Sequence, residues 1–168
     1  YIGKSNLNSY GDFVLMVDGM VGEIEEALDS LGLDRNTILV FASDNGCSPA
    51  AHVKELVAKG HYPSFIYRGY KADLFEGGHR IPCVVRWPAK FPPHTVNQMV
   101  SLTDFYATFS QLLLYPLKDN EGEDSYSLLS LLYNHKNKTP KEGIRKSIVS
   151  QSINGDFTIR KGMWKLLV

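Results

Sequence analysis

The stretch "TILVFASDNG", Thr37 to Gly46, decides how the chain is read. Thr37 to Ala42 is a short, continuous, largely apolar run. Its length and its Ile and Val favour a strand buried on both faces, as in a parallel sheet. The run ends in an acid, an amide and a glycine. Asp-Asn-Gly is common turn chemistry. It is also how an α/β enzyme presents oxygen ligands at the carboxyl edge of its sheet.

Upstream, Gly11 to Leu31 reads as a helix. Phe13, Val17, Met20, Val21, Ile24, Leu28 and Leu31 recur at three- and four-residue steps, with Glu23, Glu25, Glu26 and Asp29 on the other face. Gly32 is a natural stop. Helix, tight turn and strand make half of a doubly wound α/β unit. Downstream, Ala51 to Lys59 suits a short helix. "GHYPSFIYRGYKADLFEGGHRIP" (Gly60 to Pro82) is a long aromatic- and glycine-rich loop, and loops of that length inside compact domains are usually functional or disordered. Its aromatics argue against disorder. "CVVRW" reads as the next strand. "SLTDFYATFSQLLL" begins another helix with Ser101 or Thr103 as N-cap. Residues Tyr115 to Thr139 are mostly polar, with a helical stretch over Leu128 to Tyr133. In the tail, "SIVSQS", "DFTIRKG" and "MWKLLV" read as strands, and Asn154-Gly155 is a strong hairpin signal. The tail therefore reads as antiparallel sheet.

The bulk numbers set limits. The chain has 168 residues, 43% hydrophobic and 21% charged, enough for one domain with a real core. Lys plus Arg and Asp plus Glu each total 18, and zero net charge argues against nucleic-acid binding by phosphate neutralisation. No apolar run reaches membrane-span length. Two cysteines make neither a disulfide scaffold nor a zinc site, and Cys83 reads as a small buried hydrophobe. The opening "YIGKSN" lacks Met and the chain stops within an apolar run, so a piece of a longer polypeptide is expected.

Asp44 and Asn45 offer one anionic and one neutral hard oxygen, which suit calcium or magnesium. Lys71 lies in a cationic segment: from His61 to Lys90 there are five Lys or Arg (68, 71, 80, 86, 90) against two acids (73, 76), net +3. Such a loop near a divalent ion suits an anionic substrate. Arg80 and Arg86 are expected to be structural. Gly77-Gly78 implies tight backbone packing or positive φ, with Glu76 fixing the turn. His79 fits either loop packing or a site role, and the role of His61 is open. His52, His94 and His135 show no partner pattern. Tyr62, Phe65, Tyr67 and Tyr70 suit either sugar stacking or loop packing.

Together, "NTILVFASDNG", "YRGYKADLFEGGHRIPCVVRWP" and "SLTDFYATFSQLL" resemble the type I, formylglycine-dependent sulfatases, over about Tyr10 to Val168. The resemblance implies an alkaline-phosphatase-like α/β sandwich with a mostly parallel sheet, followed by a small antiparallel sheet. Residues 1–115 would be the carboxyl-terminal part of the catalytic domain, and 116–168 a linker and the start of that small sheet. It implies that Asp44 and Asn45 coordinate calcium and that Lys71 contacts the sulfate. It implies a sulfate-ester substrate, with sulfated sugars among the family's plausible ones, and an exported protein: periplasmic, extracellular or lysosomal. The family nucleophile is a formylglycine made from a Cys/Ser-x-Pro-x-Arg motif. Here the only near-match, Cys47 to Ala51, follows the metal pair and has Ala51 where the Arg belongs. The nucleophile is thus expected outside this chain. Two alternatives stand beside this reading. A related phosphatase or phosphodiesterase is disfavoured by the lack of an Asp-x-x-x-His spacing around Asp44. A non-catalytic, degenerate binding domain would make Asp44, Asn45 and Lys71 relics.

The isolated chain is expected not to hydrolyse a sulfate ester. Turnover of an aryl sulfate by the purified 168-residue chain checks this. Measurable turnover would mean that a nucleophile lies within it.

Overall fold

The computed structural model describes residues 1–133 and 143–168, so His135 lies outside the described residues. By Cα proximity the chain divides into two compact units. One comprises Tyr1–Trp87 with Gln151–Phe157, the other Pro88–Ser150 with Thr158–Val168.

The first unit opens with α1, Ser9–Ser30. Its start is set by Asn8, whose Oδ1 accepts from the amides of Tyr10 and Gly11, the usual N-cap exchange. The Asn8 amide nitrogen also donates to Ala51 O at 3.0 Å. One side chain therefore starts the helix and ties it to the segment after Asp-Asn-Gly. Asp12 folds the preceding turn back onto α1, accepting from Gly3 N and Ser5 N. Those amides hold its carboxyl below the usual carboxylate range. The apolar stripe is only half-covered by the described residues: Val17, Val21 and Leu28 are half-buried, whereas Phe13, Met20, Ile24 and Leu31 are exposed.

A 3-10 turn, Asp34–Asn36, leads to β1, Leu39–Ala42. Here the structure corrects the sequence reading. β1 pairs antiparallel with β2, Cys83–Arg86, in the register Leu39↔Arg86 to Ala42↔Cys83. Val40 is exposed and its neighbours are half-buried, so this strand is not sealed on both faces. An apolar run reports burial only weakly and says nothing of a neighbour's direction, which is set here by a partner some forty residues on. Cys83, expected to be buried, is exposed at the start of β2. Arg86 is structural as expected: it pairs with Glu25 of α1 at 3.2 Å and Asp34 at 3.9 Å. Between the strands lie a 3-10 turn (Pro49–Ala51), α2 (Val53–Ala58), whose Leu56 is fully buried, and one helical turn, α3 (Glu76–His79). His52, in the left-handed region between the first two, pairs with Glu55.

The second unit is organised around α4, Asp104–Leu112, α5, Leu129–Leu132, and all but the Gln151 and Phe157 ends of the strands β3 (Ile148–Gln151), β4 (Phe157–Lys161) and β5 (Trp164–Leu167), in sheet order β3-β4-β5. β4 and β5 are antiparallel, as the tail's pattern implies. The N-cap of α4 falls on Thr103, one of the two residues expected there, without the side-chain bond. Asp104 Oδ2 instead accepts from Ser101 N. Asp104 is fully buried. Its Oδ1 takes the amide of Tyr126 at 2.9 Å and Nη2 of Arg145 at 2.5 Å. Arg145 also donates to Asp124 O and lies over the Tyr126 ring. Thr108 Oγ1 donates to Asp104 O and accepts from Leu128 N, which joins α4 to the start of α5. His94 bridges the carbonyls of Pro92 and Leu131, so it has a structural place.

Breaking one partner of a buried ion pair strands the other. Arg145→Ala is expected to lower stability by roughly 3 kcal/mol or more. Urea unfolding followed by circular dichroism checks this, and a loss below ~1 kcal/mol, the range of exposed pairs, would contradict the burial.

Candidate active site

Three peptide segments of the first unit meet at glycines. Gly46 N donates to Gly78 O at 2.9 Å, Gly77 N to Arg68 O at 2.8 Å, and Ser43 N to Pro82 O at 3.3 Å. A Cβ on Gly46 would lie 1.7 Å from the Gly77 carbonyl oxygen. On Gly77 it would lie 2.1 Å from Gly69 O, and on Gly78 2.4 Å from Tyr70 O. Gly77 and Gly78 are buried. The sequence left two reasons open for that pair. Tight packing is the one found, since neither residue has positive φ.

This stack carries the residues that the sequence singled out. Lys71 N donates to Cys47 O at 2.9 Å, so the Lys71 loop is hydrogen-bonded to the segment directly after Asp44-Asn45-Gly46. Asp44 is exposed and Asn45 half-buried. The Asn45 amide nitrogen donates to Gly46 O, which leaves its side-chain oxygen free to accept. Among the described residues, neither the Asp44 carboxylate nor Asn45 Oδ1 accepts a hydrogen bond, and Lys71 makes no ion pair or side-chain hydrogen bond.

The neighbouring cations are engaged. Arg68 lies 3.8 Å over the Phe75 ring and Arg80 4.7 Å over Tyr67, typical cation–π packing. Tyr62 and Phe65 are exposed, while Tyr67 and Tyr70 are half-buried. His79 lies in α3, half-buried and partnered. His61 is exposed, and its amide donates to Leu56 O. Cys47 is half-buried beside Tyr10 of α1. Burial and the hydrogen bond with Cys47 push the Tyr10 hydroxyl up to about 12, and burial raises the Cys47 thiol.

Two features lay outside the sequence reading. Ala72 sits at φ 83°, in the left-handed region, a conformation that costs a non-glycine residue about 1–3 kcal/mol. Asp73 accepts from the amides of Tyr70 and Phe75, both at 2.8 Å. Its placement two residues before Phe75 is an Asx-turn signal that was legible in principle.

The chain matches the family model described as Sulfatase over residues 2–115. The chain belongs to the sulfatase family. Sulfatases with curated descriptions are similar over much of it. It is 40% identical to the N-acetylgalactosamine-6-O-sulfatase of Bacteroides thetaiotaomicron, over 99% of this chain and 32% of that protein. It is 38% identical to mouse steryl-sulfatase, over 79% of this chain and 21% of that one. This sulfatase chain thus spans about a third or less of the length of those relatives. Among solved structures, a Bacteroides thetaiotaomicron protein described under the metabolism of multiple glycosaminoglycans superposes with TM-score 0.85 at 38% identity, covering 99% of this chain and 34% of that one. The structure of Ps i-CgsB in complex with k-i-k-neocarrahexaose superposes with TM-score 0.74 at 30% identity, covering 94% and 33%. These neighbours carry the alkaline-phosphatase-like α/β fold. With the small antiparallel sheet, they bear out the expected fold class, while the β1–β2 pairing stands as described above.

Gly46→Ala is expected to destabilise the chain by about 1–3 kcal/mol, the usual range for overpacking, because its Cβ would meet backbone that cannot swing aside. Gly22→Ala, inside α1 with open space around it, is expected to stabilise by roughly 0.5–1 kcal/mol. Urea titration of the two variants reads the opposite signs. A neutral Gly46→Ala would contradict the close approach.

Proposed function

We propose that this chain is the carboxyl-terminal part of a sulfatase that hydrolyses sulfate esters of sugars. In this reading residues 1–115 complete the catalytic domain, and 116–168 form the linker and the start of the carboxyl-terminal sheet. Asp44 and Asn45 hold part of a calcium site, Lys71 binds the sulfate, and the formylglycine nucleophile comes from outside this chain. The observation that carries the reading is the bond from Lys71 N to Cys47 O, which puts an unpaired ammonium's backbone against the segment bearing two unengaged oxygen ligands. The sugar preference rests on similarity to an N-acetylgalactosamine-6-O-sulfatase and to a structure solved with a neocarrahexaose. Export from the cytoplasm is likewise proposed by family. No helix of the described residues is long and apolar enough to cross a membrane.

The donor set fits calcium in part. Calcium takes six to eight oxygens. Asp44 and Asn45 supply two, and no cluster of three or more His, Cys, Asp or Glu suited to a metal occurs among the described residues. When bound, the ion would neutralise charge on the sulfate oxygens. What this chain's own residues contribute is narrower. Asp44 and Asn45 present oxygens from a loop fixed by Gly46. Lys71 offers a compact point charge that can meet a sulfate oxygen as negative charge develops. As the sulfur–oxygen bond breaks, an ammonium beside the sulfate stabilises the transition state more than the ground state.

In the full-length protein, Lys71→Ala is expected to lower kcat for a sulfate ester by ~10²-fold or more. Lys71→Arg is expected to recover little, since a planar fork does not replace a point charge. Steady-state turnover of an aryl sulfate, and of 6-O-sulfated N-acetylgalactosamine, checks both. A fully active Lys71→Ala protein would remove Lys71 from the site.

A further inference from the structure

Lys71 is exposed, so no packing fixes where its ammonium goes. What is fixed is the turn beneath it. Asp73 Oδ2 accepts from Tyr70 N, the residue before Lys71, and Oδ1 accepts from Phe75 N, beyond Leu74. One carboxylate therefore clamps both flanks of the segment Lys71-Ala72. Ala72, between the lysine and its clamp, is held at φ 83°, which a residue with a Cβ rarely adopts unaided. Gly69 makes room for the clamp: a Cβ there would lie 2.5 Å from each Asp73 oxygen. Two further bonds hold the same segment from outside. Lys71 N donates to Cys47 O, and Ala72 O accepts from Ile153 N at 3.1 Å. Ile153 belongs to a turn that Ser152 organises by accepting from the amides of Asn154 and Asp156.

We propose that Asp73 is a positioning residue for Lys71. Its carboxylate locks the Tyr70–Phe75 turn, keeps Ala72 left-handed, and so sends the lysine side chain off the backbone in one direction. Asp73 is not an acid, a base or a metal ligand in this scheme, because both its oxygens are committed to amides of its own turn. Without the clamp, Ala72 relaxes towards the ordinary right-handed region. The peptide after Lys71 then rotates, and the ammonium samples several positions around the sulfate. A misplacement of about 1 Å can cost about 10²-fold in rate. This inference rests on the sulfate-binding role proposed for Lys71.

The experiment is a double-mutant cycle in the full-length enzyme, with kcat and KM for an aryl sulfate, on Asp73→Ala, Lys71→Ala and the double variant. Asp73→Ala is expected to lower kcat about 10- to 100-fold with the thermal midpoint near that of the parent. In the Lys71→Ala background the same substitution is expected to change kcat by less than about 2-fold, because residues acting as a unit are not additive. Asp73→Asn, which keeps one acceptor oxygen for two amides, is expected to fall between Asp73→Ala and the parent. If Asp73→Ala gives no folded protein, the cycle is run with Asp73→Asn. Equal losses from the Asp73 substitution in both backgrounds would overturn the proposal, as would an Asp73 variant as active as the parent. A fully active Lys71→Ala enzyme would overturn both the role of Lys71 and this inference. A crippled Lys71→Ala enzyme with additive Asp73 effects would overturn this inference alone.

Discussion

The first unit depends on a place where no side chain fits. Gly46, Gly77 and Gly78 let three peptide segments approach until carbonyl oxygens occupy the space where Cβ atoms would stand. Backbone amides and carbonyls there satisfy one another directly, so the segments bearing Asp44, Asn45 and Lys71 are joined by main chain. Main chain carries no rotamer freedom. The three residues therefore share one rigid base, while the Asp44 carboxylate, Asn45 Oδ1 and the Lys71 ammonium make no side-chain hydrogen bond among the described residues.

The same economy shows in how the cations of the loop are distributed. Arg68 and Arg80 lie over aromatic rings, and Arg86 bridges α1 and the following 3-10 turn. Each of these guanidiniums has a planar face or a fork that suits stacking or paired carboxylates. The lysine, a compact charge on a flexible stem, is the one left without a side-chain partner among these four. The net positive charge of the loop thus overstates the charge left unengaged, because most of it serves packing.

How much of this was legible in the sequence follows from what each residue reports. Asp44-Asn45-Gly46 could be read as a turn with oxygens to offer and Glu76-Gly77-Gly78 as a tightly packed turn, because glycine advertises close approach before any partner is known. The helix α1 was legible because its signal is periodic over many residues. The direction of β1 was not, because it depends on β2, and four residues of apolar strand look alike beside either kind of neighbour. Asp104 was invisible as a buried acid. It stands in a stretch that reads as an ordinary helix start, and its partner Arg145 lies far along the chain. The left-handed Ala72 was equally hidden, since alanine gives no hint of positive φ and the surrounding clamp must be seen to account for it.

The Asp104–Arg145 pair has a consequence for how the second unit tolerates change. The two residues are 41 apart in sequence, and Asp104 also takes the Tyr126 amide while Arg145 reaches Asp124 O. One buried carboxylate thus serves donors from three stretches of chain: Ser101 N, Tyr126 N and the Arg145 guanidinium. No single neutral side chain offers two such acceptor oxygens, so replacing Asp104 leaves a buried donor unsatisfied. A substitution there is felt at all three stretches at once.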